Sequence, residues 1–130
     1  MKYLGNYYLS MDSYLMGRCS IDDLPDAYCF NANVLIPKVN GLLEEFGYFR
    51  KITSGYRRPE DNAAVKGSKG SAHLTCEAVD LEDKDGKLKA YCTECVLIRH
   101  GLYRESDEHT ASGCHLTTRS PRSGKRIFNP

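Results

Sequence analysis

Net charge is nearly absent from this 130-residue chain, +1 at pH 7 with its histidines neutral. That leaves no global electrostatic basis for nucleic acid or an anionic membrane as partner. Also missing is any apolar run near the ~18 to 20 residues of a membrane helix. The opening stretch "MKYLGNYYLSMDSYLMGRC" is interrupted by Asn6, Ser10, Asp12 and Ser13 and makes a poor secretion signal. The expectation is synthesis in a cytosol, where the six cysteines stay reduced rather than forming a disulfide framework. Internal repeats and low-complexity segments are lacking too.

No second Cys-x-x-Cys accompanies "CTEC", Cys92 to Cys95, which argues against a zinc knuckle. Its place inside an amphipathic segment argues against a redox pair, so both thiols are expected in the core. "EDKDG", Glu82 to Gly86, lacks the spaced ligands of a calcium loop and reads as a hydrophilic turn. The basic stretch "RSPRSGKR" has no aromatic platform beside it and reads as a solvated tail.

What is present is an ordinary globular composition, 41% hydrophobic and 27% charged, enough for one domain over residues 1–130 with its own core. "LSMDSYLMG" predicts a short helix capped by Ser10 or Asp12. "NANVLIPKVNGLLEEFG" predicts a helix from the spacing of Val34, Leu35, Val39, Leu42, Leu43 and Phe46, starting or kinking at Pro37 and closed by Gly47. "YFRKITSGYR" and "EAVDLED" predict strands, with "RPEDNAAVKGSKGS" as a polar loop between them. "KLKAYCTECVLIRHG" predicts one amphipathic helix, and "GLYR" and "GCHLTT" two closing strands. The fold class expected is α+β, an antiparallel sheet with flanking helices.

The stretch with chemistry in it is "GSAHLTCEAVD", in which His73 and Asp80 stand seven residues apart. On one helix that spacing separates them by ~10.5 Å along the axis. On one strand an odd separation puts them on opposite faces. They converge only if the chain bends between them, in the order ligand, turn, strand, ligand. Of the other histidines, His100 suits a helix C-terminus as a cation and His109 a solvated loop. His115, on the strand "GCHLTT", is the one positioned to join the first pair. Spacing alone leaves open a structural histidine instead of a ligand.

Three ordered blocks, "SGYRRPEDN", "SAHLTCEAVD" and "CHLTT", resemble the zinc D-alanyl-D-alanine carboxypeptidase and L-alanyl-D-glutamate endopeptidase family. That family includes bacterial cell-wall peptidases and phage endolysins and shares its fold with the Hedgehog signalling domain. Its motif residues fall on Ser54, Gly55, Tyr56, Arg57, Asn62, Ser71, His73, Ala78, Asp80 and His115, and the likeness runs from about Leu24 onward. The resemblance implies Zn2+ held by His73, Asp80 and His115 with a fourth position open to water, the arrangement of catalytic rather than structural zinc. It implies that Arg57 binds a substrate carboxylate, a bidentate task suited to guanidinium. Arg58 reads as a surface charge. Ser71 is expected to bond substrate or to shape the turn. The implied function is hydrolysis of an amide bond in peptidoglycan stem peptides, by a monomer acting at the bacterial wall as a phage lysis or virion protein.

Two departures stand out. Cys76 occupies a position that is usually glycine, as a small buried residue or a further thiolate. Ser112 stands where well-studied members carry a general base, three residues before the last ligand. Glu108 is the candidate to replace it, with Glu105, Asp107 and His109 as alternatives. The competing reading is a catalytically weak or inactive zinc-binding module of the same fold with a structural or assembly role.

Overall fold

The computed structural model describes residues 9–48, 50–109 and 112–130; Phe49 and the side chain of His109 lie outside what is described. Apolar–polar alternation builds the centre of the sheet. In β2 (Ala78–Glu82), Val79 and Leu81 are buried while Asp80 and Glu82 between and beyond them are only partly so. In β4 (Gly113–Thr117), Cys114 and Leu116 turn to the same core and His115 to the other face. β2 pairs antiparallel with β4, and on its other side with β1 (Ile52–Ser54). β4 pairs antiparallel with β3 (Tyr103–Glu105), and β3 pairs parallel with β5 (Ile127–Phe128). Among the described residues five strands run in the order β1-β2-β4-β3-β5. The antiparallel expectation thus holds for three pairings; the parallel outer strand β5 is a correction.

Helix α1 (Met11–Leu15) starts at Ser10, whose Oγ accepts the Ser13 N–H at 3.1 Å while Ser13 Oγ accepts the Ser10 N–H at 2.9 Å. Its Tyr14 reaches into the sheet, donating to the Ala78 carbonyl at 2.8 Å.

The long helix α2 (Asp26–Phe46) begins five residues before the predicted stretch and continues through Pro37 rather than starting there. Proline has no N–H to give to the Asn33 carbonyl, and both residues are exposed, which leaves that carbonyl on the solvent side of the helix. The opposite side of α2 buries Ala32, Leu35, Val39, Leu42 and Leu43 against Val79, Leu81 and Leu116 of the sheet. Gly47 ends the helix at φ 94°, as its composition suggested.

Three further expectations need correcting. The loop after β1 holds a short helix, α3 (Pro59–Ala64), opened by proline at its first position. The predicted helix over 87–101 is two, α4 (Lys87–Tyr91) and α5 (Glu94–His100). Thr93, extended at ψ 168°, caps α5 through its hydroxyl, and buried Arg104 donates to the Cys92 carbonyl at 3.0 Å. The break therefore has partners for both of its polar ends. It also rotates Cys95 out to solvent while Cys92 stays buried, and all six cysteines are unpaired.

The "RSPRSGKR" stretch is only partly solvated. Arg119 pairs with Glu77 at 2.9 Å, and Arg126 lies 4.2 Å from the centre of the Tyr103 ring. In "EDKDG", buried Asp83 accepts the Leu88 and Lys89 N–H groups at 2.9 Å each, so it caps α4.

Candidate metal centre

Strand register draws the site into one line across the sheet. Ser54 of β1 stands opposite Asp80 of β2, and Asp80 opposite His115 of β4. Arg104 pairs with Leu116, so the next residue of β3, Glu105, falls beside His115; Glu105 in turn registers with Phe128 of β5. Each strand contributes one side chain to this row, on the face away from α2.

The first ligand comes from the bend rather than from a strand. Between Ser71 and Cys76 the chain turns back on itself, closed by Glu77 N–H to the Ala72 carbonyl at 2.9 Å. Cys76 sits at φ 63°, the left-handed conformation that favours glycine, and is fully buried. The bend carries His73 over the row. The His73 Nδ1 lies 2.8 Å from the Gly55 carbonyl, so Nδ1 carries the proton and Nε2 keeps its lone pair for the site. A Cβ at Gly55 would fall 2.1 Å from the Tyr14 carbonyl oxygen, so only glycine allows β1 to pass this close to α1.

His73 Nε2 is 3.2 Å from Asp80 Oδ2, and His115 Nδ1 is 2.7 Å from Asp80 Oδ1. Donor atoms of the three residues all lie within 4.8 Å of one another. The ligand atoms of a tetrahedral zinc with ~2.0–2.1 Å bonds stand about 3.3 Å apart. The two imidazole–carboxylate distances fall below that spacing, while the set as a whole, within 4.8 Å, has to draw in to hold the ion. Burial works against the Asp80 charge, but the His115 and His73 contacts outweigh it and hold the carboxyl well below the usual carboxylate range. Two imidazoles and one ionised carboxylate are the donor chemistry that zinc prefers.

Arg57 borders this centre. Its backbone N–H donates to the His73 carbonyl at 3.1 Å. Its Nε donates to Ser54 Oγ at 3.0 Å, Nη1 to Asn62 Oδ1 at 3.3 Å, and Nη2 lies 3.5 Å from Asp80 Oδ2. Asn62 is itself buried and donates to the Ser68 carbonyl at 2.9 Å, which explains an amide at that position. Ser71 Oγ accepts the His73 N–H at 3.2 Å and so shapes the turn. Arg57, Ser71, His73, Asp80 and His115 all line one cleft of about 470 Å³, together with Glu105, Arg119 and Phe128.

Other candidates fall elsewhere. Glu108 is exposed on a 3-10 turn (Asp107–His109) and Ser112 is exposed before β4; neither lines the cleft. Asp107 pairs with Arg104 at 2.9 Å. Arg58 is tied to Asp61, and His100 closes α5 against Glu45.

Arg119 opens the stretch read as a solvated tail and Phe128 lies just beyond it, and only long-range pairing reveals them. Arg119 donates to Gly70, Thr75 and Glu77 and so clamps both arms of the bend that holds His73. A lone arginine 42 residues from its acidic partner leaves no local pattern to read.

No curated protein matches the chain. A family model described as Peptidase M15 matches residues 18–111, nearly three quarters of the sequence. The match takes in Arg57, Ser71, His73 and Asp80 and stops just short of His115, which β2–β4 pairing places beside Asp80. By that match the chain belongs to the peptidase M15 family, the D-alanyl-D-alanine carboxypeptidase-like zinc peptidases.

Proposed function

We propose that the chain is a zinc-dependent peptidase that hydrolyses an amide bond in peptidoglycan stem peptides. One observation carries the reading: a three-donor centre sized for a divalent cation lies beside an anchored arginine in a single cleft. When bound, zinc supplies Lewis-acid activation of a water and of the scissile carbonyl.

The chain's own residues do the rest. His73, Asp80 and His115 hold the ion. Arg57, braced by Ser54 and Asn62, presents its guanidinium to a substrate carboxylate and sets which carbonyl lies near the centre. Ser71 already accepts a backbone N–H, which leaves its own O–H to donate to a peptide carbonyl in the cleft. For Glu108 to take a proton from water, its turn has to swing inward. The site of action is the bacterial wall, reached as a phage lysis or virion protein.

The exposure of Ser112 and Glu108 outside the cleft favours a second reading, a zinc-binding module without catalysis. Incubation of the purified protein with cell-wall sacculi separates the two. New amino groups that disappear with a chelator and in His73→Ala support the peptidase. Stoichiometric zinc with no cleavage of sacculi or of soluble stem peptides replaces it with the module.

A further inference from the structure

Both histidines of the centre have two ring nitrogens to place, and the structure treats them differently. For His73, Nδ1 is committed to the Gly55 carbonyl and Nε2 points at Asp80. For His115 the order is reversed: Nδ1 points at Asp80 at 2.7 Å and Nε2 faces outward along the row. What it faces is Glu105, with Oε2 at 3.7 Å from His115 Nε2. That is ion-pair range, a modest side-chain adjustment beyond hydrogen-bond length.

We propose that Glu105 is the positioning residue of the third ligand. Its carboxylate accepts the His115 Nε2–H, fixes the tautomer with the lone pair on Nδ1, and orients the ring toward the ion. A histidine ligand generally donates its other ring N–H to such an acceptor, and losing that partner typically weakens metal binding 10- to 100-fold. The inference rests on the zinc centre proposed above and assigns its other shell.

Three observations support it. Glu105 lines the same cleft as the three donors, and its side chain is only 19% exposed. Its strand is gripped on both edges. β4 pairs on one side; on the other, the Arg104 and Ser106 N–H groups donate to the Arg126 and Phe128 carbonyls at 2.8 Å each. The Phe128 ring packs edge-on to His115 with centroids 6.4 Å apart, which limits how far the imidazole can turn away from Glu105. The parallel strand β5 thus has a purpose in the site: it keeps β3 from being a frayed sheet edge.

The test measures zinc affinity by chelator competition in wild type, Glu105→Gln, Glu105→Ala and Glu105→Leu, with thermal unfolding of each metal-free protein alongside. Gln keeps an acceptor oxygen; Ala and Leu remove it, and Leu preserves the bulk should Ala fold poorly. The expectation is zinc affinity within about threefold of wild type for Gln and a 10- to 100-fold loss for Ala and Leu, with little change in the metal-free melting temperature. Nitrogen-15 shifts of the zinc-loaded wild type should show the His115 proton on Nε2. Unchanged affinity in both Ala and Leu, an equal loss in Gln, or a proton on Nδ1 overturns the assignment. Wild-type protein that binds no zinc instead overturns the centre itself, so the two failures read differently.

Discussion

Cys76 marks where this chain departs from a glycine-containing bend and still makes it. A non-glycine residue in the left-handed region costs roughly 1–2 kcal/mol. Its buried side chain gives back an amount of the same order. The thiol is pushed up to about 12 by burial and then by the neighbouring Cys19 and Cys29, so it stays protonated at neutral pH. Among the described residues Cys76 is not one of the donors that converge on the centre and does not line the cleft, so it acts as a small packed residue of the core. Cys76→Gly should shift stability by no more than about 1 kcal/mol, since relief of strain offsets lost packing. Cys76→Val adds a β-branched side chain at φ 63° and should cost at least ~2 kcal/mol, read by urea unfolding. Equal stability of the Val and Gly variants would show that the bend is not strained.

At the scale of elements, short helices here depend on their ends, since none of α1, α3, α4 or α5 exceeds seven residues. Helix α3 carries Asn62, which braces Arg57 at the edge of the cleft. Asp61, at its third position, accepts the Arg58 N–H at 3.0 Å and the Arg58 guanidinium at 2.8 Å, and Arg18 stands 3.5 Å away. The Arg58 hydrogen bonds draw the Asp61 carboxyl down to about 2. Its pKa is depressed relative to ~4 in the unfolded chain, so its stabilising contribution is present above about pH 4. That contribution is lost as pH falls through about 2. Wild type should therefore be more stable than Asp61→Asn at pH 6, with the gap closing between about pH 4 and pH 2 in thermal melts. A gap independent of pH would mean that the carboxylate's charge is not what matters.

Across the whole molecule, the ion would tie the bend at His73 and β2 at Asp80 to β4 at His115, 35 residues further along the chain. A ligand that binds only the folded state stabilises by mass action, about 2.7 kcal/mol at a hundredfold excess over Kd. For a chain of this length that corresponds to a rise in melting temperature of roughly 10 °C. Zinc should produce that rise in wild type, a chelator should reverse it, and His115→Ala should abolish it. A wild-type melt indifferent to zinc would mean that the donors converge without binding.

Much of this was legible locally. Alternation along Ala78–Glu82 and Gly113–Thr117 needs only neighbouring residues to read, as do the Ser10 cap and the Gly47 stop. The histidines and aspartate could be nominated because their side-chain chemistry is specific, and a bend between His73 and Asp80 was required for them to meet at all. Other features depended on residues distant in sequence. Thr93 and Arg104 together split a continuous amphipathic pattern into two helices, and β5 chose a parallel partner beyond a basic stretch. Glu105 could not be ranked above Glu108 by spacing; cross-strand register put one beside His115 and left the other in solvent. The amino-acid order by itself determined periodicity, caps and donor types, because those act over one or two turns of chain. Which side chains share a face was decided only by strand pairing, since register is a long-range property and a one-residue slip of β4 would put Cys114 or Leu116 opposite Asp80 in place of His115.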